Sequence, residues 1–352
     1  MDYPNPPAWQ PPAMPPSAEA PPVETAGPPA TPGTDEFATA AALLRAMHQQ
    51  LSTVFLGQHA VVNQVLVAFI AGGHVLLEGK PGLGKTHLVL ALARCFGGVF
   101  KRIQFTPDLM PGDVTGHTLY DMGRQEFKLR KGPVFANLLL ADEINRAPAK
   151  TQAALLEVMQ ECQVTIDGQT LPLAPPFMTL ATQNPIEQEG TYALPEAQLD
   201  RFLMKVIVDY PGPQEEERIV NAVASGTGSG SLDPAYVQQL CGSDEILALQ
   251  RTAVAVQCRP DVTAYAVRIV RATREMQGLT LGAGTRGAIS LVKTAKAFAL
   301  LAGRIFVTPD DVKQAALPVL RHRVTLAPEL SISGQKVDDV LTSLLRTVEA
   351  PR

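Results

Sequence analysis

Residues 79–86 read Gly-Lys-Pro-Gly-Leu-Gly-Lys-Thr, and few stretches of eight residues restrict a fold as tightly. The spacing fits G-x-x-x-x-G-K-[ST], a loop whose backbone N–H groups wrap a triphosphate. Gly79, Gly82 and Gly84 supply turn geometry and close backbone approach. Lys85 supplies a cation, and Thr86 a hydroxyl for Mg²⁺. Lys80, Pro81 and Leu83 fill the variable positions. The pattern carries this meaning only between a strand and the positive end of a helix. Both flanks are present, since His74–Glu78 is a short apolar run and Thr86–Phe96 has helical periodicity. The loop therefore predicts a site for a nucleoside triphosphate and Mg²⁺.

The remaining pattern predicts the frame around that loop. Apolar helices span Phe37–Phe55 and Val61–Ile70, and strands follow at 99–105, 137–142, 177–183 and 203–208, with a helix at 151–160. Strands alternating with helices imply a largely parallel sheet with ligands at the strand C-termini, an α/β class. Two hairpins interrupt it, one turning around Asp121–Arg124 and one around Asp167-Gly168, a strong short-range turn signal. Beyond a Ser/Gly-rich stretch, Ser225–Ser231, the pattern is helical. Thr308-Pro309-Asp310-Asp311 makes a well-formed helix start there. A chain of 352 residues exceeds the size of a single core. The expected division is a disordered proline-rich tail at 1–36, an α/β nucleotide-binding core at 37–212 and a small all-α domain at 213–352. Residues 1–35 hold twelve of the thirty prolines and cannot pack a core.

Five further side chains carry chemistry. Asp142-Glu143 closes the apolar strand, so both carboxylates emerge where phosphates would lie. We assign Asp142 to the metal and Glu143 to the attacking water. Asn184 ends the next strand in Ala181-Thr-Gln-Asn-Pro185, where its amide orients water or touches a terminal phosphate, or else merely starts a turn. Arg201 follows a helix starting at Pro195 and reads as an arginine supplied to a neighbouring molecule's phosphates. The alternatives are a salt bridge to Asp200 or solvation. Arg286, in the first turn of a later helix, either reaches the nucleotide across a domain cleft or is a plain exposed helix arginine.

Taken together, Gly79–Thr86, Gly132–Asn137, Ala141–Ala147, Ala181–Pro185 and Leu194–Phe202 resemble the MoxR family of AAA+ ATPases. The likeness extends through Gly282–Arg286, Gly303-Arg304, Val307–Asp310 and Leu320-Arg-His-Arg323, so it spans roughly residues 38 to 345. Ala193 stands where that family often has Pro, and Gly284-Thr-Arg-Gly287 replaces a common Ser-Pro-Arg-Ala. The resemblance implies an ATPase with a helical lid, assembled as a ring, usually a hexamer, with ATP at subunit interfaces. It makes Gly79–Thr86 the Walker A loop, Asp142 and Glu143 Walker B, Asn184 sensor 1, Arg201 a finger acting in trans and Arg286 sensor 2. The two hairpins resemble insertions of the wider group that includes the magnesium-chelatase ATPase, and are candidates for partner contact. It further implies chaperone-like maturation of a client, with a von Willebrand factor A domain protein as partner.

Composition trims the alternatives. A net charge of −4 argues against a broad nucleic-acid footprint. The densest basic cluster expected of a translocase, Lys128, Arg130 and Lys131, is thin. Four cysteines without C-x-x-C spacing suit a reducing compartment. The most apolar run, Val65–Gly73, is too short to cross a bilayer. No basic residue precedes Arg45, so no secretory signal is expected and a cytoplasmic location is. A scaffold that binds ATP without turnover is disfavoured, because Lys85, Asp142, Glu143, Asn184 and Arg201 are all present.

Overall fold

Three consecutive buried residues, Val75, Leu76 and Leu77, lead directly into the Gly-rich loop, and a strand so covered needs layers on both faces. The computed structural model supplies them and describes residues 33–80, 82–184, 191–224 and 233–351. Pro81, Pro185, segment 1–32 and the run Ser225–Ser231 lie outside the described residues.

Two helices come first, α1 (Thr34–Val54) and α2 (His59–Ile70). α1 begins three residues ahead of the expected core boundary. Asp35 and Glu36 occupy its first turn, where the helix dipole favours carboxylates. Then follow β1 (Val75–Glu78), α3 (Lys85–Cys95), β2 (Phe100–Gln104), α4 (Pro111–Thr115) and the antiparallel pair β3 (Gly116–Asp121) and β4 (Glu126–Lys131). β5 (Leu138–Asp142), α5 (Ala149–Glu161), the hairpin β6 (Gln163–Ile166) and β7 (Gln169–Pro172), β8 (Met178–Gln183), α6 (Glu196–Leu199) and β9 (Met204–Ile207) complete the α/β part. Asp167 and Gly168 both have positive φ, 48° and 81°, as a two-residue hairpin turn demands.

The rest is helical: α7 (Pro213–Ala224), α8 (Ser243–Ala255), α9 (Pro260–Glu275), α10 (Thr285–Leu301), α11 (Pro309–Leu320), α12 (Pro328–Ile332) and α13 (Val337–Thr347). α11 starts as its sequence dictates, with Thr308 and Asp311 forming a capping box and Pro309 in the first turn. A two-stranded ladder, β10 (Leu279–Leu281) with β11 (Thr325–Leu326), also lies here. Strands this short have no period for a sequence to display. Among the described residues no helix is long and apolar enough to cross a membrane.

The central sheet has the order β2-β5-β8-β1-β9, parallel throughout. Its register sets Glu78 beside Gln183 and Gln104 beside Asp142, so the loop, the acid pair and Asn184 leave the sheet at one edge. One face (Val75, Leu77, Leu138, Leu140, Val206) packs with α1–α3 and, through α1 and α2, with the helices after residue 243 in a continuous core. The other face (Leu76, Leu139, Ala141, Ala181) packs with α5, the β6–β7 hairpin and Phe202.

His74, just before β1, pins this arrangement. Its Nδ1 accepts the Thr179 N–H at 3.0 Å, and its Nε2 lies 2.9 Å from the Met159 carbonyl. An accepting Nδ1 carries no proton, so the ring is neutral and Nε2–H donates to Met159. Burial pushes its pKa down to about 4, with the Met159 hydrogen bond opposing and Lys293 adding to the shift. An unfolded histidine titrates near 6.5. Between those values the unfolded chain binds a proton that the folded chain does not. The resulting stability is complete above pH 6.5 and is lost as pH falls toward 4. His322, also buried and shifted well down by burial and by Arg323, works in the same direction. We therefore expect His74→Leu to lower stability at pH 7 by about 2–3 kcal/mol, because two buried backbone groups lose their partner. Urea unfolding from pH 7 to 4.5 should show a shallower slope for the variant than for the parent. Parallel slopes would place the linkage elsewhere.

Candidate nucleotide site

Gly79 follows β1 because nothing larger fits. A Cβ there would stand 2.3 Å from the Val208 carbonyl oxygen, at the end of the neighbouring strand β9. Gly84 caps α3 with φ 75° and ψ 13°, a left-handed conformation that turns the loop back onto the helix start. The helix therefore begins at Lys85, with its unpaired N–H groups at the loop. Lys85 Nζ donates to the Gly79 carbonyl at 2.7 Å, which closes the loop on itself. Burial lowers the Lys85 pKa, while Asp142 and Glu143 hold it up.

Opposite the loop, Asp142 Oδ1 accepts from the Thr182 hydroxyl at 2.5 Å, and Oδ2 accepts from Arg102 at 2.6 Å. Glu143 takes a left-handed backbone, φ 55° and ψ 50°, uncommon for a residue with a side chain. Its N–H donates to the same Thr182 oxygen at 2.9 Å, which holds that turn. Its Oε2 accepts from Gln104 at 2.6 Å and from Arg146 at 2.9 Å. Glu78, at the base of the loop, is bound by Lys205 at 2.7 Å and by Gln183 at 2.5 Å. That pairing ties the loop to the residue preceding Asn184.

These groups enclose a cavity of about 400 Å³, within the range of small-molecule sites. Gly79, Gly82, Leu83, Gly84, Lys85, Thr86, Asp142, Glu143 and Asn184 line it, as expected from the sequence. Lys80 does not: its Nζ lies over the Tyr210 ring, 4.6 Å from the centroid. A second cavity of about 610 Å³ shares Asn184 and extends to Asp200, Lys205 and Arg321–Thr325.

The two remaining arginines lie outside the loop cavity. Arg201 Nη1 donates to the Leu156 carbonyl of α5 at 2.7 Å. The carboxylate of Asp200, a candidate partner for Arg201, is taken by Arg323 at 2.7 Å and Arg286 at 3.3 Å. Arg286, half-exposed at 51%, thus sits beside the Arg201 segment and does not line its own chain's loop cavity. Its expected reach across a cleft to a nucleotide therefore stands as a proposal, with its guanidinium here on Asp200.

ATP and Mg²⁺ fit the residues present. The loop amides and Lys85 suit phosphate oxygens, and the Thr86 hydroxyl with the Asp142 carboxylate forms a hard oxygen set suited to Mg²⁺. Arg102 already places positive charge against Asp142 Oδ2, where a cation would lie. Sequence reasoning missed Arg102, Gln104, Arg146 and Thr182. Their roles depend on strand register and on the turn after β5. Thr182 lies inside a motif that was read only for its asparagine.

Fold and site define a P-loop ATPase with an α/β core and a helical lid, and comparison with known proteins agrees. Residues 74–204 match the model of the ATPase family associated with various cellular activities, and residues 271–344 match the AAA lid domain. Chaperone MoxR1 of Mycobacterium tuberculosis is 43% identical over 312 residues, 86% of this chain and 81% of that protein. A Bacillus subtilis protein, YeaC, of uncharacterised role, is 44% identical over 303 residues, 86% of this chain and 93% of its own length. A crystal structure of a candidate ATPase from Cytophaga hutchinsonii superposes with a TM-score of 0.83 at 38% identity, covering 90% of this chain and 98% of that one. The chain belongs to the MoxR family of AAA+ ATPases.

Thr182 supports both carboxylates, so Thr182→Val, which keeps the volume and removes the hydroxyl, isolates its role. Loss of such an outer partner lowers activity roughly 10–100-fold. We expect a fall of that size in ATP hydrolysis, with a raised Mg²⁺ requirement. An unchanged rate and Mg²⁺ dependence would remove Thr182 from the site.

Proposed function

We propose that this AAA+ ATPase hydrolyses ATP in a cytoplasmic ring, with each site shared between subunits, and uses the cycle to remodel a partner protein. One observation carries the reading: Arg201, bonded to the Leu156 carbonyl, and Arg286, paired with the neighbouring Asp200, both stand apart from the cavity that their own chain builds around the loop. Arginines that their own chain's nucleotide cavity leaves unused suit a head-to-tail interface, which closes into a ring. In this scheme residues 37–212 form the nucleotide core and 213–352 the lid.

Within one subunit, the loop amides and Lys85 would hold the phosphates, and Thr86 and Asp142 the Mg²⁺. Bound Mg²⁺ would neutralise charge on the phosphate oxygens. Glu143 would take the proton of the attacking water once Gln104 and Arg146 release its Oε2. Asn184 would orient that water without adding charge. Arg201 of the neighbouring subunit would stabilise the transferring phosphoryl group. Arg286, beside it, would act on the same nucleotide.

The remodelling role rests on the relative named a chaperone and on the β3–β4 hairpin. That hairpin exposes Tyr120 and Phe127, stacked edge to face at 5.1 Å, with Met122 beyond them. Such side chains suit contact with another protein. A client, and a von Willebrand factor A domain partner to recruit it, complete the proposal.

The shared site is testable by mixing. Arg201→Ala should cost roughly a thousandfold or more in turnover, and Glu143→Gln should be inactive. In a random equimolar ring about a quarter of the interfaces pair an intact loop with an intact arginine, since a head-to-tail contact joins two different surfaces. ATPase activity near that fraction of the parent's should return. No recovery in confirmed mixed rings would sink the shared site.

A further inference from the structure

The run Leu320-Arg-His-Arg323 closes α11, far in sequence from every residue of the nucleotide site. The Arg323 side chain is 2% exposed, and burial lowers its pKa while Asp200 opposes the shift. Its guanidinium is spread over one segment of the α/β part. Nε donates to Asp200 Oδ1 at 2.7 Å, and Nη2 donates to the carbonyls of Phe202 at 2.6 Å and Asp200 at 3.3 Å. Nη1 donates to the Leu203 carbonyl at 3.2 Å and to that of Val319. His322 Nε2 lies 3.0 Å from the same Phe202 carbonyl.

Residues 200, 202 and 203 flank Arg201 on both sides. Their carbonyls all turn to a charge supplied by the lid, while the Arg201 side chain itself lies on α5. Charge-assisted hydrogen bonds to a buried guanidinium are strong, and a shift of this backbone would leave that charge unpaired. The planar fork is what allows one side chain to reach several acceptors. A lysine has one nitrogen and no fork.

We propose that Arg323 is a positioning residue for ATP hydrolysis, fixing the backbone on both sides of Arg201 and so setting where that arginine meets the neighbouring subunit's nucleotide. The proposal rests on the reading of Arg201 as acting in trans. It also gives the lid a function: a rotation of α11 moves the arginine offered to the next subunit.

Mixed rings separate this role from a merely structural one. Arg323→Lys keeps the charge and loses the fork. Alone, it should lower kcat about a hundredfold, the effect of an ångström-scale misplacement, with KM for ATP unchanged. Mixed with Glu143→Gln subunits, whose arginine is intact, it should regain activity, because its own loop site is sound. Mixed with Arg201→Ala subunits it should show no gain over its residual rate, because neither partner offers a placed arginine. Recovery with Arg201→Ala, or none with Glu143→Gln, overturns the proposal when the Arg201→Ala and Glu143→Gln control pair recovers. If that control pair fails, the trans reading falls and this inference with it. Should Arg323→Lys lose its thermal transition, Asp200→Asn, which removes the shared carboxylate, goes through the same mixtures with the same outcomes expected.

Discussion

The parallel pairing of β5, β8 and β1 is the contact on which the rest of the structure depends. Ala141 pairs with Ala181, and Ala181 with Leu76, in a ladder buried on both faces. Such a ladder admits no slip, because a shift of one residue turns every side chain to the opposite face. The register therefore decides which side chains leave the sheet together. It puts Thr182 within reach of Asp142, sets Gln104 next to Asp142, and places Asn184 one residue past the pairing of Gln183 with Glu78. Hydrophobic burial thus does the positioning, and the polar groups at the strand ends inherit it.

Those polar groups form a balanced set. Lys85 loses hydration and is held charged by two carboxylates, which are themselves held by Arg102, Gln104, Arg146 and Thr182. A bound nucleotide would compete with several of these contacts, since Arg102 holds Asp142 Oδ2 and Gln104 holds Glu143 Oε2. The left-handed turn at Glu143 is bound by one hydroxyl, so the carboxylate is aimed by backbone as well as by side-chain contacts. The lid joins the same scheme from a distance. It shares a core with α1 and α2, and it reaches the arginine segment through buried Arg323 and His322 together with Arg286.

Much of this was legible in the sequence where chemistry is local. The loop announces itself through Gly79, Gly84, Lys85 and Thr86. Asp142-Glu143 announces itself by ending an apolar strand, and the Asp167-Gly168 turn by its need for positive φ. The supporting shell was not legible. Gln104 meets Glu143 and Thr182 meets Asp142 across strands, and no spacing rule predicts register between segments about forty residues apart. Arg323 was part of a motif without an assigned role, because its partners lie more than a hundred residues upstream. Arg286 was legible in part for the same reason: its position at a helix start is readable, but the identity of the carboxylate it meets is not.

In the proposed scheme a second copy of the chain completes the hydrolytic site. Its most direct test is the structure of Glu143→Gln protein assembled with ATP and Mg²⁺. There the Arg201 guanidinium should have left the Leu156 carbonyl and lie within hydrogen-bond reach of the terminal phosphate held by the adjacent subunit, about 3 Å. A nucleotide enclosed by one chain alone, with Arg201 still on α5, would contradict it.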